Sequence, residues 1–377
     1  MAVITTVLLA LLVGSLVYCV LTVLAARRYL AAQPPPLRSP IPISVLRPLS
    51  GLDEGLEENL RSFFEQEYPA FEILLAVHRA DDPAVAVVEK VKSEFPDGPP
   101  TRLIVTGEPP GPNAKAFSLE CMVAAAQHPL LVMSDSDVRV TREMLECVAS
   151  EFQDERVGVV SCPYRAVPGR SFWSRLEAIG MNTEFLGGVL VARLLEGMKF
   201  ALGPTSAARR EVLEGMGGFG RLKEYLAEDF VMGKLAAEMG YGVLLSSYVI
   251  EHRIGTQRFG ANLRHRLRWA RSTRRSRPVG YWGQVFTNPL PLALLLWAAE
   301  PRAWPLVVIS GAFRAAAAWA VAGWVLHDLL TRSRWWLVPF QDLLSFFVWI
   351  AGFFGNTIQW RGRKSYVSTD GRFQVVP

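Results

Sequence analysis

Residues 2–25 carry no charge and are mostly apolar, a run long enough to cross a bilayer as one helix. In hydrocarbon each backbone N–H and C=O must be satisfied within the segment, so a single crossing of this kind has to be helical. Arg27-Arg28 follow the run. A signal peptide carries its charges before the apolar core and ends in small residues, and neither feature is present. The stretch 1–28 therefore reads as an anchor whose carboxyl end lies in the cytoplasm. Gln33-Pro-Pro-Pro36 then makes a stiff spacer.

The other end is apolar too. Half of the 377 residues are hydrophobic, 11 are Trp, and the mean hydropathy is +0.21, with the excess gathered at the two ends. Within 285–360, the segment 285–299 holds Pro289 and Pro291 and is short for a crossing. Segment 304–326 is long enough but contains Arg314. Segment 337–358 is the best span, and its one charge, Asp342, lies near the start, where it could reach the interface. An arginine inside an apolar helix needs a partner; Glu300, Asp328, Asp342 and a lipid phosphate are the candidates. Trp304, Trp335, Trp336 and Trp360 mark interfacial boundaries. Two crossings, with 285–299 re-entrant, keep the basic tail 361–377 cytoplasmic.

Between the ends, apolar runs of strand length alternate with helical periodicity. Strands are expected at Ile43–Arg47, Phe71–Val77, Arg102–Val105 and Leu130–Met133. Helices are expected at Asp53–Glu67, Pro83–Phe95 and Asn113–Gln127. This is the pattern of an α/β domain with a mostly parallel sheet, spanning 29–250. Within it, 171–202 is amphipathic and broken by Glu184, Arg193 and Glu196. A crossing is not expected of it; it reads as a helix in the membrane interface or beside an acceptor groove, and equally as a plain core helix. The four cysteines show no CxxC spacing and read as reduced thiols.

Chemistry is concentrated at four places. The strand at Leu130–Met133 runs into Ser134-Asp135-Ser136-Asp137. In extended chain Asp135 and Asp137 would project to one side, and two hard oxygen ligands suit Mg²⁺ or Mn²⁺ carrying a diphosphate. The pair sits at a strand's carboxyl end, where open α/β sheets bind ligands. Taken alone it equally describes an Asp-rich turn before a helix near Thr141. Asp81-Asp82 follow the second strand, where a carboxylate can bind a base or ribose, or simply start a helix before Pro83. Glu228-Asp229 open a helix running to Met239, which reads as a general base or as a helix-end carboxylate. Seven arginines lie between Arg264 and Arg277. On a helix Arg264, Arg268, Arg271 and Arg275 share a face that suits phosphate, although the stretch 251–284 also fits a cytoplasmic basic cluster beside a membrane. The net charge of +5 is concentrated there, with no nucleic-acid motif beside it, so nucleic acid is not an expected partner.

Together these residues resemble the ceramide glucosyltransferase family, membrane-anchored inverting enzymes of the GT-A fold, and within it the bacterial hopanoid-biosynthesis branch. The likeness includes Ser44-Val-Leu-Arg-Pro-Leu-Ser-Gly51, Asn59-Leu-Arg-Ser-Phe-Phe64 and Tyr68-Pro-Ala-Phe-Glu-Ile-Leu-Leu75. The family signature is three separated Asp sites followed by (Q/R)xxRW. Asp81-Asp82, Asp135 and Asp229 match the Asp sites; His265-Arg-Leu-Arg268-Trp269 matches the last motif, with His265 standing where Gln or Arg is expected. The resemblance implies a GT-A nucleotide-diphospho-sugar transferase domain with transmembrane helices at both ends, in a bacterial inner membrane with the catalytic domain cytoplasmic. It implies a UDP-sugar donor contacted by Asp81 or Asp82, Lys115, Asp135, His265, Arg268 and Trp269. Asp135 and Asp137 would hold Mg²⁺ or Mn²⁺, and Asp229 would be the base. N-acetylglucosamine transfer to a hopanoid polyol is the implied reaction, and glucose transfer to ceramide is the alternative. A polysaccharide synthase is disfavoured because the Gln of the last motif is absent. A non-catalytic membrane protein is disfavoured because all four sites occur in order.

Overall fold

The structure is a computed structural model and describes residues 2–360, 363–368 and 370–375. In chain order its main elements are α1 (Ala2–Leu30), β1 (Ile43–Pro48), α2 (Leu56–Phe64), β2 (Phe71–Val77), α3 (Ala84–Glu94), β3 (Thr101–Val105), α4 (Ala114–Ala125), β4 (Leu130–Ser134) and β5 (Val138–Arg139). Then come α5 (Met144–Glu151), β6 (Val157–Ser161), β7 (Tyr164–Pro168), α6 (Phe172–Gly180), α7 (Leu186–Glu196), β8 (Thr205–Arg209), α8 (Arg210–Gly215), α9 (Gly218–Leu222) and α10 (Glu228–Glu238). The last part holds β9 (Gly242–Leu245), β10 (Ile250–Gly255), α11 (Phe259–Ser276), α12 (Pro278–Gly283), α13 (Pro289–Ala299), α14 (Trp304–Ala318), α15 (Leu329–Ser333), α16 (Val338–Gly352), β11 (Thr357–Trp360), β12 (Arg363–Val367) and β13 (Phe373–Val375). Packing separates the chain into two units, one of residues 33–164, 198–255 and 365–377, the other of 1–32, 165–197 and 256–364.

The first unit is built on a seven-stranded sheet of order β3-β2-β1-β4-β8-β6-β9. Strands β1 to β4 run parallel, β8 runs antiparallel to β4 and β6, and β9 is parallel to β6. The order reverses between β1 and β4, and their carboxyl ends open the crevice that such sheets use for ligands. Both strands are buried along their length, so neither shows the alternation of a half-exposed strand, and in β1 the polar Ser44 and Arg47 are enclosed with the rest. Leu46, Leu74, Leu131 and Met133 join Leu119, Met122, Leu213 and Met232 in the core. Truncating Leu131, wholly buried in the central strand, to Ala would cost about 2–5 kcal/mol. The carboxyl-terminal residues belong here: Phe373 N–H donates to Glu224 O at 3.2 Å and Leu226 N–H to Gly371 O at 3.3 Å.

Several expected boundaries shift. The helix expected at Asp53–Glu67 starts only at Leu56, because Gly55 before it takes left-handed backbone with φ 84° that a helical turn cannot include, while the Asp53 carboxylate accepts from the Ser136 hydroxyl. Asn113 is not the first helical residue but the cap of α4; its side chain accepts from Ala116 N–H at 3.0 Å. The helix expected near Thr141 begins at Met144.

Among the described residues, four helices of the second unit are long and apolar enough to cross a membrane: Ala2–Leu30, Phe172–Glu196 (where no crossing is expected from the sequence), Pro301–Val325 and Trp335–Gly352; Pro289–Ala299 is shorter. Residues 165–197, expected within the catalytic segment, pack in this unit instead. There α7 lies against α1, and α6 against α16. A π turn at Met181–Phe185 joins α6 to α7. Asp342 does not reach an interface. It is fully buried and accepts two hydrogen bonds from Arg314, from Nε and Nη2, each 2.8 Å. Thr183 Oγ1 takes a third at 3.1 Å. Of the candidate partners for Arg314, Asp342 is the one it pairs with.

Candidate active site

The site starts from the turn after β4. Asp135 and Asp137 do not lie in extended chain as the spacing implied: β4 ends at Ser134, and residues 136 and 137 form a turn into β5. The turn's shape comes from a residue that the sequence reading left unassigned. Arg47, at the end of β1, is fully buried, with its guanidinium over the Phe63 ring at 4.0 Å. Its Nη2 donates to Asp135 O at 2.9 Å, Val138 O at 3.2 Å and Ser136 O at 3.3 Å, and its Nη1 to Asn59 O at 2.9 Å. Asn59 Nδ2 adds a bond to Ser136 O at 3.1 Å. One buried cation thus fixes three carbonyls of the turn, which leaves the two Asp side chains in defined places. Burial lowers the Arg47 pKa to about 9, against the pull of Asp137, Asp135 and Asp53.

Each carboxylate has its own neighbour. Asp135 Oδ1 lies 2.6 Å from Lys115 Nζ, and Lys115 also reaches Gly203 O at 3.1 Å and Glu228 Oε1 at 3.5 Å. Lys115 stands in the first turn of α4, where capping by Asn113 sets its direction. Asn113 Nδ2 in turn donates to Glu228 Oε2 at 3.1 Å. Burial works against the Lys115 ammonium, yet Asp135 and Glu228 outweigh it and hold its pKa above the ordinary value. Burial raises the Asp135 pKa, with Lys115 pulling it back and Asp137 pushing it further up.

Asp137 Oδ2 meets His252 Nε2 at 3.2 Å. The antiparallel pairing of β10 with β5 sets His252 opposite Val138, one residue from the carboxylate. Burial opposes the charged Asp137, but His252 overrides it and keeps the pKa below the usual range. Asp137 Oδ1 is buried with no hydrogen-bond partner among the described residues. A buried carboxylate oxygen without a donor is costly and suits a cation. Among the described residues no set of three or more His, Cys, Asp or Glu forms a metal cage. The two Asp residues therefore fit an ion that takes its remaining ligands from a bound diphosphate and water.

Asp229 completes the group from the first turn of α10. That helix approaches residues 200–201 so closely that a Cβ on Gly233 would stand 2.4 Å from backbone, and a Cβ on Gly203 would stand 3.1 Å from Asp229 Oδ2. The two glycines permit the approach that brings Asp229 beside the Lys115 cluster. Burial, and then the Glu228 charge, push its carboxyl up to about 7, with Lys115 acting the other way.

The remaining predicted residues fall elsewhere. Asp82, in the loop between β2 and α3, accepts from Gly51 N–H at 3.0 Å and from Ala84 N–H at 2.9 Å, so it starts α3 and ties down the loop after β1. Asp81 is exposed and paired with Arg79 at 2.8 Å. In the other unit, His265 Nδ1 lies 2.6 Å from Glu177 Oε1, and Glu177 also accepts from Asn262. Trp269 lies against the rings of His265 and Phe185, at 5.3 and 5.6 Å, and Arg268 is one residue before it on α11. Sequence reasoning missed Arg47, Glu228 and His252 as site residues. Glu228 adjoins Asp229, and His252 occupies a buried position in the alternating strand Ile250-Glu-His-Arg-Ile254, which was the available signal.

Residues 6–373 match Glycosyl transferase family 21. The chain belongs to that family. Caenorhabditis elegans Ceramide glucosyltransferase 1 is 29% identical over 208 residues, covering 55% of this chain and 44% of that protein. Ceramide glucosyltransferase 3 of the same organism is 23% identical over 89% of this chain and 74% of its own length. Among solved structures, the mannosyltransferase PcManGT from Pyrobaculum calidifontis, in complex with GDP-Man and Mn²⁺, superposes with a TM-score of 0.56 at 21% identity. The match covers 93% of this chain and 99% of that one. At that identity the likeness concerns architecture, and the family 21 chain has the GT-A fold.

Proposed function

We propose that this family 21 chain transfers a hexosyl unit from a UDP-sugar to a hydroxyl of a membrane lipid, with inversion at the anomeric carbon. The observation that carries the reading is Asp229: a half-buried carboxyl raised to about 7, grouped with Lys115 and Asp135 near the crevice between β1 and β4. A general base works best when its pKa lies near the operating pH. Asp229 takes the proton from the acceptor hydroxyl as that oxygen attacks the anomeric carbon, and the bond to the diphosphate breaks on the opposite side. One displacement needs no carboxylate nucleophile.

Asp135 and Asp137 would hold Mg²⁺ or Mn²⁺, which supplies neutralisation of the departing diphosphate's charge. Lys115 adds a fixed positive charge beside Asp135, and Arg47 keeps the turn rigid while that charge builds. Asp81 and Asp82 lie at the carboxyl end of β2, where we place the uridine. For His265, Arg268 and Trp269, a role at the leaving group rests on the motif alone. The four apolar helices support an acceptor drawn from the bilayer; a bacterial inner membrane with the catalytic unit cytoplasmic is our further proposal, resting on Arg27 and Arg28 after the first apolar helix and on the resemblance to the hopanoid branch.

For the acceptor we propose a hopanoid polyol receiving N-acetylglucosamine. The named relatives favour a second reading, glucose transfer to ceramide. The deciding experiment supplies purified protein with UDP-N-acetylglucosamine or UDP-glucose and with bacteriohopanetetrol or ceramide, and detects glycolipid by mass spectrometry. Glycosylated hopanoid supports the first reading. Product from ceramide alone selects the second, and transfer to a water-soluble glycan with neither lipid modified overturns both.

A further inference from the structure

The carboxyl-terminal end of α11 gathers three guanidinium groups on one short loop. Arg271 donates from Nε to Phe354 O at 3.2 Å and from Nη1 to Thr357 O at 2.6 Å. Arg274 donates to Phe353 O, to Gly355 O at 2.8 Å and to Asn356 Oδ1 at 2.6 Å. Arg275 reaches the same Asn356 Oδ1 at 2.5 Å. Every acceptor is a neutral carbonyl or amide. Among the described residues no carboxylate pairs with any of the three, whereas Arg61, Arg314 and Arg277 each have one.

Neutral dipoles orient a guanidinium without cancelling its charge, so three like charges stand unbalanced within one loop. Among the described residues, the buried Nε atoms of Arg274 and Arg275 have no acceptor. Burial and then repulsion from Arg275 and Arg271 depress the Arg274 pKa, as expected of a crowded cation lacking a counter-ion. Such an arrangement is stable with an anion beside it, and arginine forks match the oxygens of a phosphate.

The neighbourhood selects the source of that phosphate. Phe354, whose carbonyl holds Arg271, is 70% exposed, and Trp282 and Val279 are 64% and 84% exposed. The Trp282 ring lies 4.5 Å from Phe353, next to the acceptor of Arg274. Exposed aromatic and aliphatic groups beside a basic cluster are the pattern of a headgroup-level surface, where acyl chains cover the apolar part. A soluble phosphate would leave those side chains in water.

We propose that Arg271, Arg274 and Arg275, with the loop 353–357, bind the phosphate of an anionic phospholipid. The site lies outside the catalytic group and does not depend on the transferase reading. The phospholipid acts as a structural counter-ion for α11, the helix that also carries Arg268 and Trp269.

The test uses full-length protein in a neutral detergent and reads the unfolding midpoint, with no activity measurement. Short-chain phosphatidylglycerol, short-chain phosphatidylcholine and inorganic phosphate are added separately. Phosphatidylglycerol alone should raise the Tm, and the protein should carry phosphatidylglycerol from the membrane when examined by native mass spectrometry. In Arg271→Gln/Arg274→Gln/Arg275→Gln the rise should vanish. Because that variant loses loop hydrogen bonds as well as charge, Asn356→Asp is the second arm. It places a carboxylate where Arg274 and Arg275 converge, so it should raise the basal Tm and shrink the response to phosphatidylglycerol. An equal rise with phosphatidylcholine, an equal rise with inorganic phosphate, or an undiminished response in Asn356→Asp would each overturn the proposal.

Discussion

Replacing Asp229 with Asn separates catalysis from stability in one variant. The folded-state pKa of about 7 lies above the ordinary carboxyl value of 3.8, so the folded protein holds this proton more tightly than the unfolded chain. Between those values the folded state binds more protons, and stability therefore falls as pH rises from about 4 to about 7. At roughly 1.4 kcal/mol per pH unit, the wild-type residue costs up to roughly 4 kcal/mol at neutral pH. Asn is uncharged at every pH and escapes that penalty. The expected result is Asp229→Asn unfolding at a higher temperature than wild type at pH 8, with the gap closing towards pH 4. The same variant should lose turnover by roughly 10²–10⁴-fold with UDP-sugar affinity little changed. Wild-type kcat/KM should rise with pH through about 7 and then level. Thermal scans across pH 4–8 and steady-state rates suffice. A pH-independent Tm gap, or lost donor affinity with turnover retained, would refute the assignment of Asp229 as the base.

Chelation with EDTA should abolish transfer and added Mg²⁺ or Mn²⁺ restore it, while full activity of Asp135→Ala/Asp137→Ala would remove the metal site from these residues. His252→Phe, which deletes the partner of Asp137, should weaken metal affinity by about 10–100-fold, read as the metal concentration giving half-maximal rate. Arg314→Met leaves Asp342 buried and unpaired, a loss of about 3–5 kcal/mol that should appear as a large fall in Tm; Arg314→Met/Asp342→Leu should recover much of it. A cysteine at Asp370 should resist membrane-impermeant labelling in intact cells and react once they are permeabilised, since that segment belongs to the catalytic unit.

The sequence patterns that survive in the structure are those with a single cause. Apolar runs became β1, β2 and β4 within a residue of expectation, because burial alone decides them. Asp229 stood at a helix start by its local context, and there it is. What sequence could not show depends on partners far along the chain. Arg47 looked like an ordinary strand-end cation, yet its meaning comes from carbonyls about ninety positions away. Asp53 left its expected helix for Ser136, and Asp342 left its expected interface for Arg314. In each case a long-range polar bond, invisible to periodicity, outweighed a local preference. Asp135 and Asp137 stood out in the sequence, but neither the tight turn that carries them nor their separate partners, Lys115 and His252, did.

The catalytic unit is assembled from three separated stretches, the last of which begins at Ser365. During synthesis its sheet is complete once Gly255 has emerged, but the strand that hydrogen-bonds to Glu224 and Leu226 is still about 110 residues away. At a ribosomal rate of roughly 5–20 residues per second, that interval is on the order of 5–20 s. The apolar helices Pro301–Val325 and Trp335–Gly352 are made within this interval, before the final segment can close onto the unit. A nascent chain stalled before Ser365 would therefore hold a formed sheet lacking its last clasp: the apolar helices Ala2–Leu30 and Phe172–Glu196 are made before the sheet is finished, Pro301–Val325 and Trp335–Gly352 after it, and the clasp last of all.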